Sequence, residues 1–600
     1  MNNVITFFVD SVTWNSLGKR QAKISPTPFL DSLKNESITA TKLYSHAPYT
    51  DAATRSLFTG RNCLDDFGYY FRCNSSPITH WKAFHNLGYE TYNFHYAFYV
   101  IGDKLNESID HNIYTSSFIY ESEWGGMFKY YTELVRQRSL RNEEYILLSE
   151  RIRLLFETWT RFIDDAINNP EAFAIHKDAL QNYDVEGALR KLREERRRFD
   201  DNPILFIDDL LSEGHDNFFS CIEKSGIETY IKSDFIDGFI EKEYGSFLNR
   251  LSWLNFRANV FKSLPSLKRI LYALKRFIRT KDSSCLMFLT NYVGLLTSVR
   301  LMRKRWKAFG WQTQHSAYTI YESGLKILRE RKSSKPFYFF FDVEEPHNDI
   351  AICSYDIQDK DVVKDEMKVL NKYVNEIGSD FKGNLLYLLS LRYSDYRIQR
   401  FCESLKEMGL WDKTTILFIA DHGSSYTFNP LHNNRVNCFD DECYHIPMCL
   451  RHPGFKGIEV KSYQYSKDVL PTLLDVLGFP INPLFKGKSM ITQPNKDDYA
   501  LSEYMGPGCP DMLNRRIWFS IRDKRYVVAY KVGIFEEFEC GELAEVYDLL
   551  KDPDAFYNIN NKIVKADIQY LLDNIKLRYE EIKSDTKTFV ESLVTNNIKF

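Results

Sequence analysis

No run of about eighteen uncharged apolar residues occurs in the chain, so nothing in it reads as a membrane span. The nearest stretch, residues 285–299, is interrupted by Thr290, Asn291, Gly294, Thr297 and Ser298. A cysteine framework is missing too. The eleven cysteines are odd in number and scattered, with no CxxC pair, which points to reduced thiols rather than disulfides. Cys438, Cys443 and Cys449 match no zinc-motif spacing and read as ordinary thiols. Neither charge is in excess: 78 Lys and Arg against 81 Asp and Glu give a net −3, which offers nucleic acid no electrostatic footing. A basic start leading into an apolar stretch is also lacking. The chain opens instead on Val-Ile-Thr-Phe-Phe-Val at 4–9, so a cytoplasmic protein is expected. Glycine (27) and proline (19) are sparse in 600 residues, and no repeat or low-complexity tract is found. With 44% hydrophobic and 15% aromatic residues, the chain has ample material for a large globular core.

Short β-like and helical runs alternate through the first hundred residues. Residues 4–9, 40–44 and 89–94 read as strands, and 27–35 and 54–59 as helices. This alternation predicts an α/β core with a mixed, mostly parallel sheet between helices, residues 1–104 and 331–494 together. Residues 105–330 change to long charged helical stretches. In one of them, 143–168, Ile146, Leu147, Ile152, Leu155, Phe156, Trp159 and Ile163 recur at helical spacing. This block is read as a large helical insertion that could serve as a substrate lid. Strands resume at 336–343 and 415–420, and residues 495–600 are read as a small C-terminal α+β subdomain with strands at 522–530 and 545–549. The basic run 300–307 is read as a solvated helix face, with peripheral contact to anionic lipid as the alternative. Arg190–Arg198, with Glu194 and Glu195 inside it, reads as an exposed helix surface.

In open α/β sheets, ligands gather beyond the carboxyl ends of the strands. Those points hold Asp10 after the first strand, Asp421-His422-Gly423 after 415–420, and Glu344-Glu345-Pro346-His347 after 337–343. Two strand-end aspartates and a histidine could converge on one divalent metal. Thr50 precedes a helix that closes at Gly60, where free amides and the helix dipole favour a tetrahedral anion. Taken singly these features have plainer readings: a strand-end Asp forms turns, a Thr before a helix caps it, and a lone His is structural. Their joint placement is what suggests a site.

The same residues carry a family resemblance. Phe7-Phe8-Val9-Asp10-Ser11 with Thr27-Pro28-Phe29-Leu30-Asp31-Ser32-Leu33, Leu57-Phe58-Thr59-Gly60-Arg61 and Ile419-Ala420-Asp421-His422-Gly423 come in that order. Ile446-Pro447 with Pro453-Gly454, then Asp468-Val469-Leu470-Pro471-Thr472-Leu473-Leu474, then Glu545-Val546-Tyr547-Asp548-Leu549 follow. These six segments resemble the sulfatase-like branch of the alkaline phosphatase superfamily, and the insertion lies outside the resemblance. Counting back from Leu57, the family's C/S-x-P-S-R falls on Thr50-Asp51-Ala52-Ala53-Thr54. A threonine cannot be oxidised to formylglycine, so no formylglycine is expected. The nucleophile position is instead similar to that of the phosphoethanolamine and phosphoglycerol transferases and phosphodiesterases of this fold.

The resemblance implies metal ligands Asp10, Thr50, Asp421 and His422, and catalytic residues Thr50, His347 and His432. Arg55, His347 and His432 are the implied substrate contacts, while His445 and His452 are read as structural. A calcium site wants six to eight oxygens, and a set with an imidazole suits one Mn²⁺ or Zn²⁺ better. The implied activity is metal-dependent transfer or hydrolysis of a phosphoryl-type group through a Thr nucleophile. The substrate would be phosphorylated or a glycan, such as a surface-glycan intermediate. The alternatives are a sulfate or phosphate ester hydrolase with water as acceptor, or an inactive binding protein on the same scaffold.

Overall fold

A computed structural model describes residues 1–18, 24–68, 72–95, 107–115, 142–175, 185–211, 316–347, 357–377, 385–424, 441–505, 515–553 and 557–595, with 555 and a few positions between 271 and 281. In chain order the strands are β1 (Asn3–Val9), β2 (Ser37–Ala40), β3 (Leu43–Tyr44), β4 (Glu90–His95), β5 (His111–Tyr114), β6 (Phe337–Val343) and β7 (Thr414–Ile419). They continue with β8 (Met448–Arg451), β9 (Ile458–Val460), β10 (Gln464–Tyr465), β11 (Ala500–Tyr504), β12 (Arg516–Arg522), β13 (Tyr526–Gly533) and β14 (Glu542–Asp548). An eight-stranded sheet runs β5-β4-β6-β1-β7-β8-β2-β9. Its strands are parallel except β8, which is antiparallel to both β7 and β2.

The central strands are near-continuous apolar runs because helices cover both faces. Phe7 meets Tyr321 and Phe401 on one face, with ring centroids 5.2 and 5.4 Å away. Phe8, one residue on, points the other way and meets Phe58 of helix Thr50–Thr59 at 5.6 Å. The first face is closed by helices Ala317–Glu330 and Leu385–Glu407. Ala317, Ile320, Tyr321, Leu325 and Leu328 form the buried stripe of the former, at the three- and four-residue spacing of a helix face. Gly324 lies within it, where a side chain would come within 2.5 Å of the Phe341 ring, so the helix approaches the sheet closely only as glycine. Helix Thr50–Thr59 ends at Gly60, whose φ of 61° suits a residue without a Cβ.

The expected α/β core with a mixed, mostly parallel sheet is what forms, followed by a four-stranded antiparallel sheet (β11-β12-β13-β14) and the helix Lys565–Thr595. The boundaries differ from expectation in three places. β5 and helix Ala317–Glu330 fall inside the span read as insertion, yet both belong to the main sheet and its cover. β5 has only four residues, too few to show a strand pattern in a charged context. Residues 40–44 are two strands in different sheets: β2 joins the large one, and β3 pairs with β10. Residues 522–530 straddle a hairpin, because Asp523 Oδ1 accepts the N–H groups of Arg525 and Tyr526 at 2.7 and 2.6 Å and folds the chain back.

The helix expected over 143–168 spans Asn142–Asn168. Arg190, Arg193, Glu194 and Arg197 are exposed on helix Val185–Asp201 as anticipated, although Glu195 is buried. Cys443 and Cys449 are buried, while Cys438 and the run 300–307 lie outside the described residues. Among the described residues, no helix is long and apolar enough to cross a membrane.

Candidate active site

Three neighbouring strand ends build the site. Asp10 follows β1, and its N–H donates to Val343 O at 3.0 Å, carrying the ladder one residue past the strand. Phe8 pairs with Ile419, so Asp10 and Asp421, two residues further along each chain, come side by side on one face. That face is the one on which Phe8 meets Phe58 of the Thr50–Thr59 helix. Ser11 then turns the chain at φ 62°, a left-handed conformation that costs an L residue roughly 1–2 kcal/mol. The turn is held by the two acids it orders: Ser11 N–H donates to Asp421 Oδ1 at 3.2 Å and its hydroxyl to Asp10 Oδ1 at 2.9 Å. In the sequence Ser11 stood out only as the last residue of the opening segment 7–11.

Thr50 is the first residue of its helix, after an extended Tyr49, so its hydroxyl stands among first-turn amides that have no partner within the helix. Its Oγ1 lies 3.1 Å from His422 Nε2 and donates to Asp10 Oδ2 at 3.4 Å. His422 is fixed at both ends. Its backbone N–H donates to Asp421 Oδ1 at 2.7 Å, and its Nδ1 lies 2.6 Å from Gly423 O. A carbonyl only accepts, so in the neutral ring Nδ1 carries the proton and Nε2 presents a lone pair. That lone pair faces three oxygens: Thr50 Oγ1, Asp421 Oδ2 at 3.4 Å and Asp10 Oδ1 at 3.6 Å.

The electrostatics agree with a neutral imidazole. Burial lowers the His422 pKa, against an upward pull from Asp10. Burial, reinforced by neighbouring Asp10, pushes the Asp421 carboxyl well above its usual range, although the N–H groups of Ser11 and His422 pull it down. Asp421 Oδ2 is buried and accepts no hydrogen bond from the described residues. One ligand atom each from Asp10, Asp421 and His422 gather within 4.8 Å of one another. Two carboxylates and an imidazole whose other nitrogen is anchored on a backbone carbonyl are donors of the kind that could hold a metal ion.

The other anticipated residues divide. His347 is exposed just beyond β6, near enough for its charge to bear on both Asp421 and His422. His432 lies outside the described residues. Arg55 does not reach the site, and the substrate contact expected of it is corrected. Five residues after Thr50 it points about 140° away around the helix. Its guanidinium is buried, donating to Asp65 O at 2.8 Å and Asp66 Oδ2 at 3.2 Å. Thr54, one turn from Thr50, turns its hydroxyl back to Thr50 O at 2.6 Å. His445 stacks between Trp14 and Tyr44, and His452 Nδ1 lies 2.8 Å from Thr415 Oγ1, so both are structural as expected. Sequence reasoning missed Asp342, the last residue but one of β6. It is buried near Asp10 and Asp421, and its only signal was an acid interrupting an aromatic run.

Comparison with known proteins bears on the fold that carries this geometry. The profile of the sulfatase family matches residues 240–479. An arylsulfatase of Clostridium perfringens is 24% identical over 306 residues, 46% of this chain and 61% of that protein. Lipoteichoic acid synthase 2 of Bacillus subtilis is 29% identical over 119 residues, 18% of each chain. The alignments thus take in less than two thirds of either relative. Among solved structures, yidJ of Bacteroides fragilis, a proposed sulfatase, superposes with a TM-score of 0.51 at 13% identity, covering 99% of this chain and 97% of that one. The chain therefore has the alkaline phosphatase–sulfatase fold.

Proposed function

We propose that the protein is a divalent-cation-dependent enzyme that transfers or hydrolyses a phosphoryl-type group through Thr50. The observation that carries this reading is the Thr50 hydroxyl at a helix N-terminus, 3.1 Å from the His422 Nε2 lone pair and 3.4 Å from Asp10 Oδ2. Asp10, Asp421 and His422, with Thr50 Oγ1, would hold the cation, Mn²⁺ or Zn²⁺. When bound it supplies an acidified hydroxyl and a counter-charge for the anion.

In this reading the first-turn amides of the Thr50 helix orient the phosphoryl oxygens. Thr50 Oγ1 forms the new bond to phosphorus as its proton passes towards Asp10 Oδ2, and the bond to the leaving oxygen breaks. His347, at the exposed rim, protonates that oxygen. His432 is proposed for the same end of the site as a second substrate contact. Water or a glycan hydroxyl then gives its proton to His347 and forms the bond to phosphorus, while the bond to Thr50 Oγ1 breaks and that oxygen takes its proton back from Asp10. The name of the Bacillus relative, a lipoteichoic acid synthase, and the phosphate-ester transferases that the nucleophile position resembles support transfer of a phosphoryl-type group.

Sulfate ester hydrolysis is the second reading, favoured by the likeness to an arylsulfatase. Thr50 weighs against it, since threonine offers no route to formylglycine. The test is hydrolysis of an aryl phosphodiester, phosphomonoester and sulfate ester by metal-stripped protein resupplied with Mn²⁺, Zn²⁺ or Ca²⁺. Phosphodiester cleavage that needs Mn²⁺ or Zn²⁺ and falls about 10³-fold in Thr50→Ala is expected. Sulfate ester turnover that persists in Thr50→Ala would overturn the proposal. Failure to turn over any ester, together with failure to bind metal, would leave a binding protein on this scaffold.

A further inference from the structure

The near-neutral charge of the whole chain hides one strongly basic stretch. Residues 251–307 hold thirteen Lys and Arg and a single acid, Asp282, in a chain whose net charge is −3. Within it Leu267, Ile270, Leu271, Leu274, Phe277 and Ile278 follow the order of one helix face, with Lys or Arg at 268, 269, 275, 276 and 279 between them. The described residues 271, 274, 275 and 277–279 are helical. The helix ends at Lys281, left-handed at φ 52°, whose N–H donates to Phe277 O at 2.8 Å. Leu271, Leu274 and Ile278 lie within about 60° of one another around its axis. They are 62%, 41% and 65% exposed. Lys275 and Arg279 border this stripe on one side, about 40 to 80° from Leu271, and both are exposed, as is Lys281.

An exposed leucine standing alone is ordinary. Three aliphatic side chains on one helix face, beside cations and in a stretch with a single acid, need a partner that offers hydrocarbon and fixed negative charge together. The interface of an anionic bilayer does so: acyl chains lie under the stripe, and phosphates stand level with the ends of the Lys and Arg side chains. Nucleic acid offers only the charge and would leave the stripe in water. A groove on another protein has a fixed length, whereas here the pattern continues through seventeen uncharged residues, 283–299, into the basic run 300–307. A membrane surface sets no such limit. We propose that the helix ending at Lys281 docks the protein on an anionic membrane surface. Leu271, Leu274 and Ile278 enter the acyl boundary, and Lys275, Arg279 and Lys281 meet the headgroups. This docking is independent of the chemistry assigned to Thr50.

The test is flotation of the full chain with vesicles of phosphatidylcholine alone, or mixed equally with phosphatidylglycerol. Binding to the mixed vesicles that weakens with salt, and none to the neutral ones, is expected. Replacing the stripe by Leu271→Gln, Leu274→Gln and Ile278→Gln together should weaken partition about 100-fold, because glutamine keeps the helix but not the apolar surface. Lys275→Gln with Arg279→Gln should weaken it about 30-fold. This pair keeps the test readable should the triple variant fail to fold. Absence of binding to the mixed vesicles, equal binding to the neutral ones, or undiminished binding by both variants overturns the proposal. Tighter binding to duplex DNA than to the mixed vesicles would give the cations to nucleic acid and overturn it too. So would a lipid-free dimer, seen by sedimentation velocity, that the triple variant cannot form, since a second copy would then cover the stripe.

Discussion

Two groups of buried acids in this molecule are treated in opposite ways. Between the end of the Thr50 helix and the C-terminal helix, Asp65 and Glu503 are buried around Arg578. Arg578 Nε reaches Glu503 Oε2 at 2.6 Å, and Nη2 reaches Asp65 Oδ1 at 2.7 Å. Lys486 Nζ adds a second cation 3.3 Å from Asp65 Oδ1. Burial alone would raise the Asp65 carboxyl, but Arg578 and Lys486 hold it well below the usual range. At the carboxyl ends of β1, β6 and β7, burial and mutual repulsion push Asp342 and Asp421 upwards instead. Where the chain uses carboxylates as structure, it brings its own arginine. At the strand ends, no described arginine or lysine is paired with Asp342 or Asp421.

This contrast can be broken from either side. The largest effect is expected from Arg578→Met, which strands Asp65 and Glu503 without their guanidinium. Removing one partner of a buried ion pair costs about 3–5 kcal/mol, read as a lower urea midpoint that added Mn²⁺ does not restore. A loss below about 1 kcal/mol would mean that Lys486 and the hydrogen bonds suffice, and the contrast would fail. Next comes metal itself. At a free Mn²⁺ concentration 100 times its Kd, the wild type should gain about 2.7 kcal/mol in the same titration, and Asp10→Asn should gain almost nothing.

The smallest effect belongs to a more accessible pair that sharpens the comparison. Slight burial pushes Glu90 upwards, but hydrogen bonds from Arg331 and His111 outweigh it and hold its carboxyl down to about 2. Arg331 Nε meets Glu90 Oε2 at 2.9 Å. Because the folded value lies below the unfolded one, near 4.3, this pair stabilises above that value and its contribution fades as pH falls towards 2. With solvent screening, Glu90→Gln should cost about 1 kcal/mol or less at pH 7 and nothing near pH 2. A cost as large as that of Arg578→Met would show that burial is not what separates the clusters.

The site was legible in proportion to how local its signals were. Asp10, Asp421 and His422 stand directly after dense apolar strands, and Thr50 opens a short helix, so a strand-end rule finds all four. Arg55 was misplaced because adjacency in sequence says nothing about direction. One step of five residues around the helix turned it from Thr50 to Asp65. Asp342 was missed because a single acid inside an aromatic strand does not show which face it occupies, and only pairing with Phe8 puts it on the face of Asp10. The 522–530 segment looked continuous because Asp523 can sit in a strand or cap a turn, and only the hairpin hydrogen bonds choose.

Sequence alone determined that Asp10, Asp421 and His422 would stand together: apolar runs impose buried parallel strands, and the polar residues ending them have nowhere to go but one edge of the sheet. Tertiary structure alone decided how those residues are charged. Asp65 and Arg578 are 513 residues apart and meet only in the folded chain, whereas Asp342 and Asp421 are brought near one another by strand pairing, with no described arginine or lysine between them. Charge interactions depend on distance and burial, and neither is written in the order of the residues.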